Sequence, residues 1–368
     1  MIHLNGATGE GGGQILRTAL ALSMCTGQPF RIEQIRAKRS KPGLMRQHLM
    51  CVKAAQQISG AEVSGATIGS LALEFSPGAV TAGDYRFAID GAGSTMLVLQ
   101  TVLPPLLLSS ATSQITLVGG THNPMAPPFQ FIERAFARMV NAGSPPPGGE
   151  GLGERESALQ ANVIRSHTPS PQPFRGSRLS LALNRHGFFP AGGGEIVATI
   201  TPQPLQPFHL HERGELRAAY AEVIVAGVAS SVAERELATL GKLMSWSGEQ
   251  LRRVAARQNE GPGNALIATL EFDNVTEVFM QLGEQGVSAE SVAKRLARDI
   301  RDYQTRSEPV GPHLADQLLL LMALAGGGSF ATTELTEHTR TNALVIEKFL
   351  PIEIAIEPRG VGAVIRLE

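Results

Sequence analysis

"NGATGEGGGQILRTALALSMCTGQPFRIEQIR", residues 5–36, places a glycine-rich turn with a single acid, Glu10, ahead of an apolar run, a second turn and a strand-like segment starting near Phe30. Phosphate-binding glycine loops have defined spacings, and this turn misses two of them. A P-loop needs Lys-Ser or Lys-Thr after its last glycine, but Gln14, Ile15 and Leu16 follow Gly13. A dinucleotide fingerprint counted from Gly9 and Gly11 needs a third glycine where Gln14 stands. On spacing alone the stretch reads as a glycine turn feeding a tightly packed helix.

The same plan recurs twice. "DGAGSTMLVLQTVLPPLLLSSATSQITLVGG" (90–120) carries Gln100 in its apolar run and Ile115 in its strand; "GPHLADQLLLLMALAGGGSFATTEL" (311–335) carries Gln317 and Phe330. Each first helix is apolar nearly all round, which implies burial between other elements. A polar loop and an amphipathic second helix follow each strand: "KRSKPG" before "LMRQHLMCVKAAQQIS", "THNPMAP" before "PFQFIERAFARMVNA", and "TEHTR" before "TNALVIEKFL". Alternation in "SLALEFS", "LSLALNRH" and "AVIRLE" supplies further strands. The expected fold class is α/β (α+β), with three repeated βαβα-type units around a shared core.

Two segments break the pattern. Residues 144–178 are rich in Gly, Pro and Ser and read as a flexible insertion. From 214 to 308 a smaller α/β module is expected, with strands in "AAYAEVIVAGV", "NALIATLEF" and "VTEVFMQL", and helices in "AERELATLGKLM", "GEQLRRVAARQ" and "AESVAKRLARDIRDYQ". The catalytic domain would then be 1–213 with 309–368, interrupted by this inserted domain.

With 368 residues, 43% of them apolar, the chain can bury a large core. Thirty-two basic against thirty-three acidic residues argue against a protein that coats long stretches of nucleic acid. The charge is nevertheless uneven: Arg31, Arg36, Lys38, Arg39, Lys41 and Arg46 face only Glu33 within residues 31–48, a compact anion-attracting patch. Cys25 and Cys51 sit in apolar runs and read as reduced thiols. The first residues lack a basic stretch followed by an apolar run, and the segment 314–328 is too short and glycine-terminated to span a bilayer. A cytoplasmic, membrane-free protein is expected.

If the units pack alike, the turns and loops ahead of their helices converge on one cleft, where helix N-termini favour anions. Glu10 suits a divalent cation, and Arg17, Arg36, Arg39, Lys41 and Arg46 suit phosphate, with Gln47 and His48 beside them. Gln100, Asn123, His313, Asp316 and Gln317 complete the lining, and His338 offers covalent or proton chemistry. Each has a structural alternative. Glu10 can cap its helix, Gln14 and Gln317 can satisfy backbone groups, Arg17 can pair with a surface acid, and His338 can be an ordinary loop residue before a cap at Thr341 or Asn342.

"GEGGGQILR" (9–17), "RAKRSKPGLMRQH" (36–48), "GGTHNPMAPP" (119–128), "RHGFFPAGGGE" (185–195), "GPHLADQ" (311–317) and "EHTRTN" (337–342) together resemble the RNA 3′-terminal phosphate cyclases, in order over nearly the full chain. The resemblance implies ATP-dependent conversion of an RNA 3′-phosphate to a 2′,3′-cyclic phosphodiester through a His338-AMP adduct and an RNA-adenylate. It assigns Gln100, Pro127, His313, Leu314, Ala315, Asp316 and Gln317 to the nucleotide, with Pro127 as one face of an adenine sandwich. Arg17, Arg36, Arg39, Lys41, Arg46, Gln47 and His48 go to the triphosphate and the RNA end, and Glu10 to Mg²⁺ or Mn²⁺. The implied fold is three repeats similar to the C-terminal domain of a bacterial translation initiation factor, plus a thioredoxin-like insert. His313 stands where the family usually has tyrosine, which implies less stacking area and weaker ATP binding. Residues 144–178 exceed the length expected for the family. Two other classes compete: a non-catalytic ribosome-biogenesis homologue, which should lack the histidine, and an enolpyruvyl transferase, which would need no adenylate.

Overall fold

The computed structural model describes residues 1–142 and 178–367. The expected insertion at 144–178 lies outside the described residues except for Arg178, a buried side chain that donates to the carbonyls of Val140 (3.0 Å) and Pro204 (2.8 Å).

The opening glycine turn separates β1 (Ile2–Asn5) from α1 (Gln14–Thr26), which leads to β2 (Phe30–Glu33), α2 (Arg46–Ser59), β3 (Glu62–Ser64) and β4 (Leu73–Ser76). β1 and β2 are parallel, so a crossover must join them, and α1 is that crossover. β4 then inserts antiparallel between β2 and β3. The next sheet contains β5 (Asp84–Ala88), with α3 (Thr95–Leu107) crossing to β6 (Ser113–Gly119). A π-helical turn at Phe131–Phe136 runs into α4 (Ala137–Asn141), followed by β7 (Leu179–Arg185) and β8 (Gly194–Ile200). β8 again lies between its neighbours, antiparallel to both.

The chain next forms β9 (Phe208–Leu210) and then a four-stranded sheet of its own. This comprises β10 (Leu216–Ala226), α5 (Ser230–Met244), β11 (Leu251–Ala255), β12 (Gly263–Phe272), β13 (Thr276–Leu282) and α6 (Ala289–Gln304). Its order is β11-β10-β12-β13, with only β10 and β11 parallel. The chain returns through α7 (Pro312–Leu324), β14 (Gly328–Thr332), α8 (Glu337–Phe349), β15 (Ile354–Arg359) and β16 (Gly362–Leu367). β14 pairs parallel with β9, while β16 lies antiparallel between β14 and β15. Three of the four sheets therefore share one strand order and one pattern of strand senses.

α1 is the central packing element, in contact with α2, α3 and α8. That position explains its apolar circumference: Leu16 and Leu20 on one face and Leu22 on the far side are all fully buried. Cys51 is buried, Cys25 is half-buried, and both are free thiols. Among the described residues no helix is long and apolar enough to cross a membrane.

Two local expectations are corrected. Residues 248–258, expected as a helix, form a short 3₁₀ turn at Gly248–Gln250 and then β11. Five residues from Leu251 to Ala255 pair in register with Ala221–Val225, so the backbone bonds offered by β10 prevail over local propensity. "TEHTR" is not a loop: α8 starts at Glu337, and the Thr336 side chain caps it by accepting the Thr339 N–H at 3.2 Å. Thr341 and Asn342, candidate caps in the sequence, are buried within that helix.

Candidate active site

Helix starts define the site. α1 and α2 begin after Gly13 and Met45, neither of which supplies a capping side chain, so their first N–H groups remain open to an anion, whereas α7 begins after Gly311 with Pro312, which has no N–H. Sequence-distant side chains are joined across these ends. Asp316 in α7 accepts from the side-chain amide of Gln14, the first residue of α1, and the Gln14 carbonyl oxygen contacts Nδ1 of His338 in α8. Nε2 of His338 lies 2.6 Å from Glu10 Oε2, and the other Glu10 oxygen pairs with Arg39. The result is one polar chain, Asp316–Gln14–His338–Glu10–Arg39, drawn from segments more than 300 residues apart in sequence.

The turn that carries Glu10 must lie against other helices, and glycine makes this feasible at two positions. Gly9 is left-handed (φ +54°), and a Cβ there would fall 2.0 Å from Thr341 Oγ1. A Cβ on Gly13 would fall 2.2 Å from His48 Nε2. Here the demand for bare backbone comes from side chains of α8 and α2. Lys38 Nζ donates to the Gly9 carbonyl at 2.6 Å, holding the turn to the basic loop.

Electrostatics separate the residues into roles. Partial burial, with Arg17 and Arg39 nearby, outweighs the pull of Asp316 and holds His338 below the ordinary histidine range. With Gln14 accepting at Nδ1, that nitrogen carries a proton, and Nε2 faces the Glu10 carboxylate, a contact that needs a proton between the two atoms. Burial raises Asp316 above the usual carboxylate range. Burial, with Arg17 and Arg36, pushes His48 down to about 3, so it is a neutral group; its Nδ1 has no hydrogen-bond partner. His48 thus stands as a neutral side chain beside Arg17 at the start of α1.

The basic patch divides likewise. Arg36 donates to the carbonyls of Lys41 and Gly43 (2.9 Å), so its guanidinium ties its own loop together. Lys41 and Arg46 are exposed, and Gln47 accepts the Ser94 N–H at 3.4 Å. Gln100 of α3 donates to Gln317 of α7 at 2.5 Å. From there a cleft of about 640 Å³, open space included, runs between α3 and α7, with Arg17 and Asp316 at its polar end and Leu103, Leu107, Leu320 and Leu324 along its apolar wall. His313 is exposed at the start of α7, whereas Leu314 and Ala315 are fully buried, so their side chains serve the core and only their backbone can meet a ligand. Pro127 is half-buried in the loop after β6 and does not line this cleft.

Sequence reasoning underrated Gln14, Thr341 and Asn342. Thr341 Oγ1 accepts the Glu10 N–H at 3.4 Å, and Asn342 bridges the helices by accepting from Thr18 (2.8 Å) and donating to the Asp316 carbonyl (3.0 Å). The available signal was polarity on otherwise apolar helices. Among the described residues no group of three or more His, Cys, Asp or Glu side chains is placed to hold a metal ion. Both Glu10 oxygens already have partners, so the donor set fits a cation only if substrate phosphates bring the remaining oxygens.

A mixed α/β protein that brings helix N-termini, guanidinium groups and an oriented imidazole to one cleft has the groups that anion-handling enzymes use. The family model for RNA 3′-terminal phosphate cyclase matches residues 8–145 and 150–356. An RNA 3′-terminal phosphate cyclase of Ralstonia nicotianae (strain ATCC BAA-1114 / GMI1000) is 47% identical over 369 residues, covering 100% of this chain and 96% of the relative. Another, from Ectopseudomonas mendocina (strain ymp), is 46% identical over 353 residues, 96% and 94% of the two chains. The chain belongs to the RNA 3′-terminal phosphate cyclase family, a family of enzymes.

Proposed function

We propose that this protein uses ATP to convert an RNA 3′-terminal phosphate into a 2′,3′-cyclic phosphodiester, with His338 as the nucleophile. The observation that carries this reading is the Asp316–Gln14–His338 chain, which keeps a proton on Nδ1 and makes Nε2, on the Glu10 side, the nitrogen that can react. Nε2 attacks the α-phosphorus of ATP; an N–P bond forms, a P–O bond breaks and pyrophosphate leaves. An oxygen of the RNA 3′-phosphate then attacks that phosphorus, breaking the N–P bond and giving an RNA-adenylate. Finally the 2′-oxygen attacks the 3′-phosphorus, closing the ring and releasing AMP.

Nε2 is within reach of Glu10, so the attacking lone pair is freed only when that carboxylate moves or shares its proton. Arg39, Glu10's other partner, is then released toward phosphate. A divalent cation carried by the triphosphate would be held by Glu10 and would supply charge neutralisation for the leaving pyrophosphate. Arg17, with no side-chain hydrogen bond among the described residues, and the open N-termini of α1 and α2 suit the phosphates. Gln100, Gln317 and Asp316 suit the nucleoside, with His313 and Pro127 as its stacking faces. We also read the three sheets of common strand order as copies of one unit similar to the C-terminal domain of a translation initiation factor, and 214–308 as an inserted thioredoxin-like domain; the shared order supports the first part.

The test incubates a short RNA bearing a 3′-phosphate with ATP and Mg²⁺ and scores the end for phosphatase resistance. Resistance in the parent, absent in His338→Ala and with a 2′-deoxy terminal nucleotide, is expected. Ends that remain phosphatase-sensitive under all conditions contradict the reading.

A further inference from the structure

The segment between β9 and α7 contributes none of the residues in the polar chain around His338, yet it reaches that chain through one carboxylate. Glu277, on β13, is 3% exposed, and its Oε1 accepts the backbone N–H of Gly311 at 2.6 Å. Gly311 is the N-cap of α7, followed at once by Pro312. In a capping box, a Glu or Gln at the third helical position reaches back to the N–H of the cap residue. The third position of α7 is Leu314, which has no such group and lies in the core. Glu277 makes that bond from another sheet.

Neighbouring side chains fasten the same return of the chain. Tyr303 of α6 donates to the Pro309 carbonyl at 2.7 Å, and Arg213 donates to the Glu308 carbonyl at 2.9 Å while its guanidinium lies 3.8 Å from the Tyr303 ring centroid. On the other side Val310 is held to β14, its N–H on the Ala331 carbonyl at 3.1 Å and its carbonyl on the Thr333 N–H at 2.8 Å. The peptide groups from Glu308 to Gly311 are thus set from both sides. Five residues beyond Gly311, Asp316 meets Gln14, which meets His338.

We infer that Glu277 is a positioning residue for the adenylation site: by fixing the first turn of α7 it sets where His313, Asp316 and Gln317 stand, and it makes the β10–α6 segment part of the nucleotide site's support. The inference rests on the ATP-dependent reading of this site. Burial pushes the Glu277 carboxyl up to about 8, so near neutral pH it is mainly the uncharged acid, whose carbonyl oxygen accepts as an amide oxygen does. Glutamine therefore keeps the contact, whereas aspartate withdraws it by one methylene. Gly311→Ala is an independent probe: its Cβ would lie 3.0 Å from Glu277 Oε2 at an ordinary φ of −69°.

The test measures two half-reactions in the full-length protein: formation of the covalent adenylate as a function of ATP concentration, and AMP transfer from preformed adenylate to a 3′-phosphorylated RNA. Glu277→Asp and Gly311→Ala are expected to raise the ATP concentration for half-maximal adenylation at least fivefold while transfer stays within twofold of the parent. Glu277→Gln is expected to stay within twofold in both. A Glu277→Asp value within twofold of the parent, a Glu277→Gln as impaired as Glu277→Asp, or equal slowing of both steps would overturn the inference. If Glu277→Asp fails to fold, Gly311→Ala decides by the same criteria. A parent that forms no adenylate refutes the ATP-dependent reading instead.

Discussion

Gln14 faces two partners with one amide, giving its N–H to Asp316 and its oxygen to His338. Groups that orient a reactive imidazole this way commonly contribute about 10- to 100-fold. Gln14→Leu is accordingly expected to slow single-turnover adenylation about 10- to 100-fold with a smaller change in the ATP concentration required, read from labelled ATP. Gln14→Glu, which retains an acceptor, is expected to recover part of the rate. The depressed affinity of His338 for a proton gives a further prediction. A nucleophile must be unprotonated, and a folded-state pKa below 6.5 keeps it so as pH falls through that value. Adenylation at saturating ATP should therefore lose half its rate only below pH 6.5; a midpoint at or above 6.5 contradicts the assignment. The acid, the basic loop and His338 were visible in the sequence because such residue types suggest chemistry by themselves. The role of Gln14 was not, because it depends on α1, α7 and α8 meeting at their first turns.

Elements carry two more expectations. The glycine turn is packed against α8 and α2, so its substitutions should act on folding. Gly9→Ala combines a left-handed backbone, costing about 1–2 kcal/mol, with an overlap on Thr341, so a larger loss than that is expected by chemical denaturation. Gly27→Ala, also left-handed (φ +70°) but facing open space, should lose only about 1–2 kcal/mol. The π-helical turn before α4 is fixed to the β10–β13 sheet by Arg134, which donates to Glu222 (2.8 Å) and Thr269 (3.1 Å). Arg134→Ala leaves the buried Glu222 without its cation and should cost about 3–5 kcal/mol, whereas Arg253→Ala on the exposed edge should change stability little. Element types followed from apolar periodicity in α1, α3, α6 and α7, whose patterns are long. The failure at residues 248–258 has a physical reason: a five-residue segment with arginines at its centre takes its conformation from the strand edge it joins, which no local pattern records.

For the whole molecule, three sheets share one strand order, and α1, α7 and α8, helices from opposite ends of the chain, meet in one polar chain. The apolar helices α1 and α3 were legible because a crossover between parallel strands is buried on most of its surface. The relative placement of the helices was not, since contacts such as Gln100 with Gln317 or Thr18 with Asn342 leave no trace in local pattern. A site assembled from opposite ends of the chain also couples ligand binding to global folding. ATP at 100 times its dissociation constant should stabilise the folded protein by about 2.7 kcal/mol, seen as a raised Tm, and His338→Ala should retain most of that shift if the imidazole reacts rather than binds. The most direct measurement is mass spectrometry of the purified protein after incubation with ATP and Mg²⁺, followed by peptide mapping. The account expects one added AMP, stable to alkali and labile to acid, on the peptide containing His338 and absent from His338→Ala. Folded, ATP-binding protein that carries no AMP, or carries it on another residue, would contradict it.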